Sequence, residues 1–318
     1  MSFALVKYLP SGTTIPFIRA RMAAMGVSLL IVLGSLGVFG VVGINFGIDF
    51  RGGIQADVET AAPVDEVRAL ANGLGLGEAK IQASVAAPGE TRSVLVTMPL
   101  QEGEGLEGEE LQNEARRALV AGLEAGLDDA QILGTAVVGG AVSGELVVKG
   151  ITAIVVALFL MLIYIWFRFE WQYSVGAIVA LTHDVIATIG FFSITQMTFD
   201  LATVAAILTI VGYSMNDTVV VYDRIRENLR KYKKLSVEEV LNLSINDTLS
   251  RTILTSVTTL LALLALYFIG GSTLQGFSAA MIWGVLIGTY SSIFVAAPLL
   301  LFTNVNRSSE EDVEVVDF

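Results

Sequence analysis

Cysteine is missing from all 318 residues, and histidine occurs once, at position 183. Without a thiol the chain cannot close a disulfide or bind metal through thiolate, and a single imidazole makes a zinc site improbable on chemical grounds. Charge is also scarce. Charged residues make up 16% of the chain, against roughly 25% in a soluble domain. The shortage is local rather than general: residues 22–48 carry no charge, and neither do the 55 residues of 252–306. No Walker A pattern occurs, which excludes ATP hydrolysis by that route. A net charge of −12 argues against nucleic acid as a partner.

Apolar runs of about 18 residues or more read as membrane helices, and the chain holds enough of them for six. The first, at 22–44, is longer than the roughly 7–15 residues of a secretory signal core and is followed by no convincing cleavage site, so it reads as a retained anchor, with a cleaved signal as the alternative. The other spans are expected at 148–168, 171–193, 200–222, 250–270 and 275–303. A short arm, 1–21, precedes the first span. A charged, amphipathic helical segment is expected at 223–249 and an acidic tail at 304–318.

Between the first two spans the composition changes. Residues 45–149 carry 17 acids and 7 bases, with turn residues throughout. Strands are expected at 54–59, 79–85, 93–99 and 131–138, and helices at 63–74 and 108–127. The helix at 63–74 places Val64, Val67, Leu70 and Leu74 at helical spacing. The order β-α-β-β-α-β is that of a ferredoxin-like split unit. The expected fold is therefore a polytopic α-helical membrane protein, with an α+β ferredoxin-like extracytoplasmic domain, 45–147, between helices 1 and 2.

Lys and Arg in short loops set orientation. Lys7, Arg19 and Arg21 lie in the arm, Arg168 in the next loop on the same side, seven bases in 223–251, and Arg307 in the tail; the loops near 194–200 and 270–275 have none. Both termini are thus expected in the cytoplasm and the 45–147 domain in the periplasm of a cell inner membrane.

Ionisable groups inside spans mark functional candidates, because an Asp at a helix centre costs roughly 2.5–3.5 kcal/mol to insert. Asp184 and Asp217 are such residues, and Arg251 opens the fifth span. Asp217 stands in GYSMNDT, where Gly212 and Ser214 permit close helix approach and Asn216 offers an amide. Burial and a neighbouring guanidinium push a carboxyl in opposite directions, leaving Asp217 a candidate proton carrier; a fixed Asp217–Arg251 ion pair that fastens the bundle is the alternative. The His183–Asp184 pair reads equally as a proton relay or as a helix-packing dyad. Gly73, Gly75 and Gly77 lack phosphate-loop spacing and read as a helix end and turn. The carboxylates at 102–114 read as a solvated face. The bases at 224–234 read as a positive-inside anchor, with anionic lipid or a cytoplasmic partner as alternatives.

Five motifs, in this order along nearly the whole chain, resemble the SecF family, the smaller partner of the SecD–SecF protein-export pair: FGIDFRGG at 46–53, VGGAVSGEL at 138–146, His183–Asp184, VGYSMNDTVVVYDRIREN at 211–228 and SRTILTS at 250–256. The resemblance implies membership of the resistance-nodulation-division superfamily and pairing with SecD. It implies assistance to the SecYEG channel after SecA has begun moving an unfolded polypeptide, driven by protons, with YajC-type accessory subunits as further partners, and no cofactor. It assigns Asp217 and Arg251, with Asn216 beside them, to a proton path. The two motifs flanking the outer domain become necks, carried here by Gly47, Asp49, Gly52, Gly53, Gly139, Gly144, Glu145 and Leu146. Gly140 stands where relatives often have proline, which would loosen the second neck. A passive translocon scaffold and a proton-coupled small-molecule exporter are the alternative functions.

Overall fold

The structure, a computed structural model, describes residues 12–84, 91–101, 108–303 and 305. The expectations for residues 1–11 of the arm, for the acidic stretch 102–107 and for the tail beyond 305 lie outside the described residues.

Among the described residues, six helical spans are long and apolar enough to cross a membrane. They are α1 (Arg21–Val42), α5 (Gly140–Arg168), α6 (Trp171–Thr195), α7 (Leu201–Lys231), α8 (Val237–Ile269) and a broken sixth built from α9 (Gly271–Ser291), a π-helical turn (Ser292–Ala296) and α10 (Ala297–Phe302). The outer domain supplies the rest: α2 (Ile48–Arg51), β1 (Gly53–Thr60), α3 (Val64–Gly73), β2 (Lys80–Ala83), β3 (Arg92–Met98), α4 (Gly108–Gly126) and β4 (Gln131–Val138).

Helices α6, α7 and α9 form an inner group with half or more of their apolar windows buried, while α1, α5 and α8 are mostly exposed around them. Small residues decide which helices are inside. Lipid gives apolar side chains no reason to pair, so membrane helices associate where backbones approach closely. Gly284 and Gly288 lie one turn apart on α9. A Cβ at Gly284 would strike the Ile210 side chain, and one at Gly288 would lie 3.0 Å from Ser214 Cβ. On α6, Gly190 likewise makes room for Ser35 of α1, and Gly176 for the Tyr222 hydroxyl. The π turn has a local cause. Pro298 has no N–H, and its ring would clash with the Phe294 carbonyl in an unbroken α-helix. The backbone widens one turn earlier, with the Ala297 N–H reaching back to the Ser292 carbonyl.

The charged segment expected as a separate unit at 223–249 is instead the end of α7 and the beginning of α8, joined by a turn at 232–236. Ser236 and Glu239 form a capping box that starts α8. Arg224 ties the two helices together through Asp247 at 2.7 Å, and Asn228 Nδ2 donates to Ser244 Oγ at 3.0 Å. The arm is fixed to α8 by Asn246, whose amide accepts from the Ile15 N–H at 2.9 Å and donates to the Ile15 carbonyl at 2.9 Å.

In the outer domain the four strands run β2-β3-β1-β4, every pairing antiparallel. One face buries Ile54, Ala56 and Val58 of β1 and Val94, Val96 and Met98 of β3 beneath Val67, Ala71, Leu119 and Leu123 of the two helices. That alternation is what a period-two strand with one covered face requires. Asp129 closes the far end: Thr60 Oγ1 donates to it at 2.7 Å and the Ala61 N–H at 2.6 Å. These bonds, the Ala61 N–H foremost, hold its carboxyl below the usual value of 3.8. A depressed folded-state value gives stability that is present above the unfolded value and lost as pH falls through the folded one. Asp129→Ala is therefore expected to speed hydrogen exchange at the β1 amides at neutral pH. The difference from the parent chain should shrink progressively as pH falls below about 4, the unfolded value; a difference of undiminished size well below that pH would place the effect elsewhere.

Candidate functional site

The face of α9 that carries Gly284 and Gly288 continues one turn later with two consecutive serines, Ser291 and Ser292, at the entrance to the π turn. Because the glycines hold α9 against α7, each serine reaches a different aspartate. Ser291 Oγ donates to Asp184 Oδ2 at 2.7 Å, and Ser292 Oγ donates to Asp217 Oδ2 at 2.6 Å. Asp184, on α6, is 1% exposed. It also accepts from Ser214 Oγ of α7 at 2.6 Å, and its Oδ1 lies 2.9 Å from His183 Nδ1. Asp217, on α7, is half-buried and takes a second hydroxyl bond from Thr252 Oγ1 of α8 at 2.7 Å. Two carboxylates at membrane depth are thus held by four hydroxyls from three helices. A hydroxyl both donates and accepts, so each can follow a carboxyl through gain and loss of a proton without leaving it unbonded.

Arg251 does not form an ion pair with Asp217: among the described residues no carboxylate lies within ion-pair distance of it. The geometric reason is helical phase. Thr252, one residue on, points inward at Asp217, while Arg251 is rotated to the exposed side of α8, still within electrostatic range of that carboxyl. Asn216 is exposed on α7. An exposed guanidinium and an exposed amide are poor neighbours for acyl chains.

The first neck is a paired segment, not a free linker. The Gly47 N–H donates to the Phe199 carbonyl at 2.8 Å, and the Phe199 N–H donates to the Asn45 carbonyl at 2.9 Å. Asp49 Oδ2 accepts from the Leu201 N–H at 2.9 Å, at the start of α7. Gly52 (φ +73°) and Gly53 (φ +130°) turn the chain into β1 in conformations that side chains resist, and a Cβ at Gly53 would fall on the Met98 carbonyl oxygen. The second neck differs from expectation. Gly139 is the extended residue before α5, and Gly144, Glu145 and Leu146 already belong to its first turns. Ser143 Oγ bonds the Gly140 carbonyl at 2.9 Å and Glu145 pairs with Lys149 at 2.8 Å, so the helix runs eight residues beyond its apolar part. Gly140 starts this helix, with Leu100 close to where a Cβ would be, so no loosened turn results. Gly139 and Gly144 have open space around them.

A contact that the sequence did not announce ties the outer domain to the sixth span. Asp57 sits at a register shift of β1, the kind of irregularity that re-aims a side chain. It accepts from Ser93 Oγ at 2.6 Å, Ser272 Oγ at 3.0 Å and Thr273 Oγ1 at 3.0 Å. Helix α9 has no cap of its own; the outer domain provides it. The tandem serines were equally silent in the sequence, although Gly284-x-x-x-Gly288 followed by two hydroxyls one turn on was a readable signal. Among the described residues no group of three or more His, Asp or Glu side chains is placed to hold a metal ion.

Residues 120–306 match the model of the "Protein export membrane protein SecD/SecF, C-terminal" family, and residues 37–64 match the SecD/SecF GG motif. The protein translocase subunit SecF of Rhodobacter capsulatus is 44% identical over 323 residues, covering 98% of this chain and 95% of the relative. That of Desulfurispirillum indicum is 44% identical over 293 residues, covering 91% of each. The crystal structure of SecDF from Thermus thermophilus, described as a translocon-associated membrane protein, superposes with a TM-score of 0.78 at 36% identity. It covers 95% of this chain, which spans 40% of the SecDF chain.

Proposed function

This chain belongs to the SecD/SecF family of protein-export membrane proteins, and from that premise we propose that it is the SecF-type half of a proton-driven export motor. The chain pairs with a SecD-type subunit, stands beside the SecYEG channel, and acts after SecA has started a polypeptide across the cytoplasmic membrane; YajC-type subunits complete the assembly. Both termini lie in the cytoplasm and the domain at 45–147 lies outside.

The observation that carries this reading is Asp217: a carboxyl at membrane depth, bonded among the described residues by the Thr252 and Ser292 hydroxyls, with the Arg251 charge near but not bound. A carboxylate locked to a guanidinium would be a fastener. One held by rotatable hydroxyls can accept a proton at modest cost, and the motion of one charge through 100 mV supplies about 2.3 kcal/mol. Changes at Asp217 act on α7, α8 and the sixth span together. The sixth span begins at Ser272 and Thr273 beneath Asp57 of the outer domain, and α7 begins at Leu201 beneath Asp49 of the first neck. Both inner helices are thus joined to the outer domain at their starts. The exposure of Asn216 on α7 and Arg251 on α8 supports a partner subunit covering these helices.

The test separates a motor from a scaffold. In vesicles containing the channel, its ATPase, the SecD-type partner and this chain, an uncoupler added after the ATP-driven phase is expected to remove the stimulation of chain release. Stimulation that survives collapse of the gradient supports the scaffold and rejects the motor.

A further inference from the structure

Two cavities meet at one ring beneath the outer domain. The lower, about 300 Å³, lies under the first neck and is apolar, with Phe39 of α1, Ile151 and Ile154 of α5, Phe50 and Phe199 among its walls. Phe39 and Ile151 are both exposed, so it opens sideways between α1 and α5. Its wall on α6 is Ile189, about 9 Å along the helix from the end at Thr195. The upper cavity, about 420 Å³, shares Phe46 with the lower and carries Arg51, Glu78 and Lys80.

The two cations of the upper cavity are not neutralised: among the described residues no carboxylate lies within ion-pair distance of either. The Arg51 guanidinium stands over the Phe46 ring, 5.9 Å from its centroid, and Lys80 Nζ donates to Asn45 Oδ1 at 2.6 Å. Asn45 in turn donates to the Gln196 carbonyl at 3.0 Å, where α6 has just ended. Both cations therefore stand where the apolar spans give way to water, at the level of lipid headgroups. Partial burial, and after it the Arg51 charge, hold the Lys80 ammonium below its usual 10.5, with Glu78 opposing. Arg51 and Lys80 against Glu78 leave the cavity one positive charge in surplus. Asp49, the other acid of the neck, is engaged by the Leu201 N–H and lines neither cavity. Glu145 and Lys149, at the start of α5, neutralise each other.

We propose that the joined cavities bind one anionic phospholipid from the leaflet beneath the outer domain, its phosphodiester between Arg51 and Lys80 and one acyl chain in the apolar cavity. A guanidinium grips phosphate through paired N–H bonds, and an ammonium acts on it as a point charge. One phosphodiester with an uncharged headgroup balances the surplus charge. A zwitterionic lipid brings an ammonium of its own into a site that is already positive. A soluble phosphate satisfies the upper cavity and leaves the lower one unused. The site touches the first neck and the start of α5, which are the two chain connections between the outer domain and the bilayer, so a lipid seated there bears on both. This inference is independent of the role of Asp217.

The absence of cysteine makes the test direct. Val155, one turn beyond Ile151 on α5 and exposed, stands beside the lower cavity without lining it. The full chain carrying Val155→Cys is labelled there with bimane and placed in phosphatidylcholine vesicles. Lipid with a nitroxide on its acyl chain is then added as the quencher. Half-maximal quenching is expected at a mole fraction at least about fivefold lower for nitroxide phosphatidylglycerol than for nitroxide phosphatidylcholine, the effect of one base near an anionic headgroup. Arg51→Gln combined with Lys80→Gln removes the difference. Arg51→Lys combined with Lys80→Arg keeps both charges and keeps the difference. Equal quenching by the two lipids in the parent overturns the proposal. So does a preference that outlasts the loss of both charges or is lost when both are kept. The same preference at a Leu261→Cys label on α8, whose outer loop at 270–275 has no base, also overturns it. Inorganic phosphate at matched ionic strength leaves the difference in place; displacement by it would mark a site for a soluble anion and reject the lipid.

Discussion

Asp217→Asn removes the gradient-dependent part of export, down to the level of vesicles without the chain, and leaves the fold intact. Asparagine has the size of aspartate, and its amide can bond both Thr252 and Ser292, since either hydroxyl can turn from donor to acceptor. Nothing is left unpaired, and a group that costs roughly 2.5–3.5 kcal/mol to insert has been replaced by a neutral one. Thermal stability should hold or rise. A structural role for the carboxylate makes the opposite forecast, since breaking charge-assisted hydroxyl bonds of about 1.5–3 kcal/mol each would lower stability first and function in consequence. Export and melting measured on the same preparation decide between them. Retained export with unchanged stability would remove Asp217 from the mechanism altogether.

Gly53→Ala unfolds or detaches the outer domain. At φ +130° any side chain is strained, and strain of this kind costs roughly 1–3 kcal/mol. The added Cβ also falls on the Met98 carbonyl oxygen, on the backbone of the neighbouring strand, where no side chain can rotate aside. Overpacking adds roughly 1–3 kcal/mol more. A domain of this size has about 5–15 kcal/mol in total, so the sum removes a large share of it. The control is Gly134→Ala in β4, where a Cβ meets open space at ordinary φ. Limited proteolysis of membrane-embedded chain should cut the Gly53 variant rapidly and the Gly134 variant at the parent rate. Equal resistance of the two would refute this account of the neck.

The six spans and the change of material between the first two were legible in the sequence, because lipid and water each impose composition over long runs. Helix ends were less so. Residues 140–147 are polar enough to read as linker, yet they continue α5, since Ser143 and the Glu145–Lys149 pair support helix outside lipid as well as apolar residues do inside. Residues 223–249 were read as a separate element because charge marks the membrane edge; a helix does not stop at that edge unless something stops it, and the stop is the turn at 232–236. The candidate aspartates could be named from their position in apolar runs. Their partners could not. Asp217 and Arg251 are compatible with an ion pair in one dimension, and only the rotation of α8 shows that Thr252 occupies the inward position.

What the sequence settled by itself follows from solvent: how many segments enter the bilayer, which one stays in water, and that Asp184 and Asp217 must find partners in protein. Tertiary structure settled who those partners are. Ser291 and Ser292 reach the two carboxyls because Gly284 and Gly288 let α9 lie against α7 and because Pro298 opens the turn beyond them. Hydroxyls are common in apolar helices and most bond their own backbone, so identity alone cannot single these out. A hydrogen bond needs its atoms within about 3 Å, and that closeness is a property of packed helices rather than of any one stretch of chain.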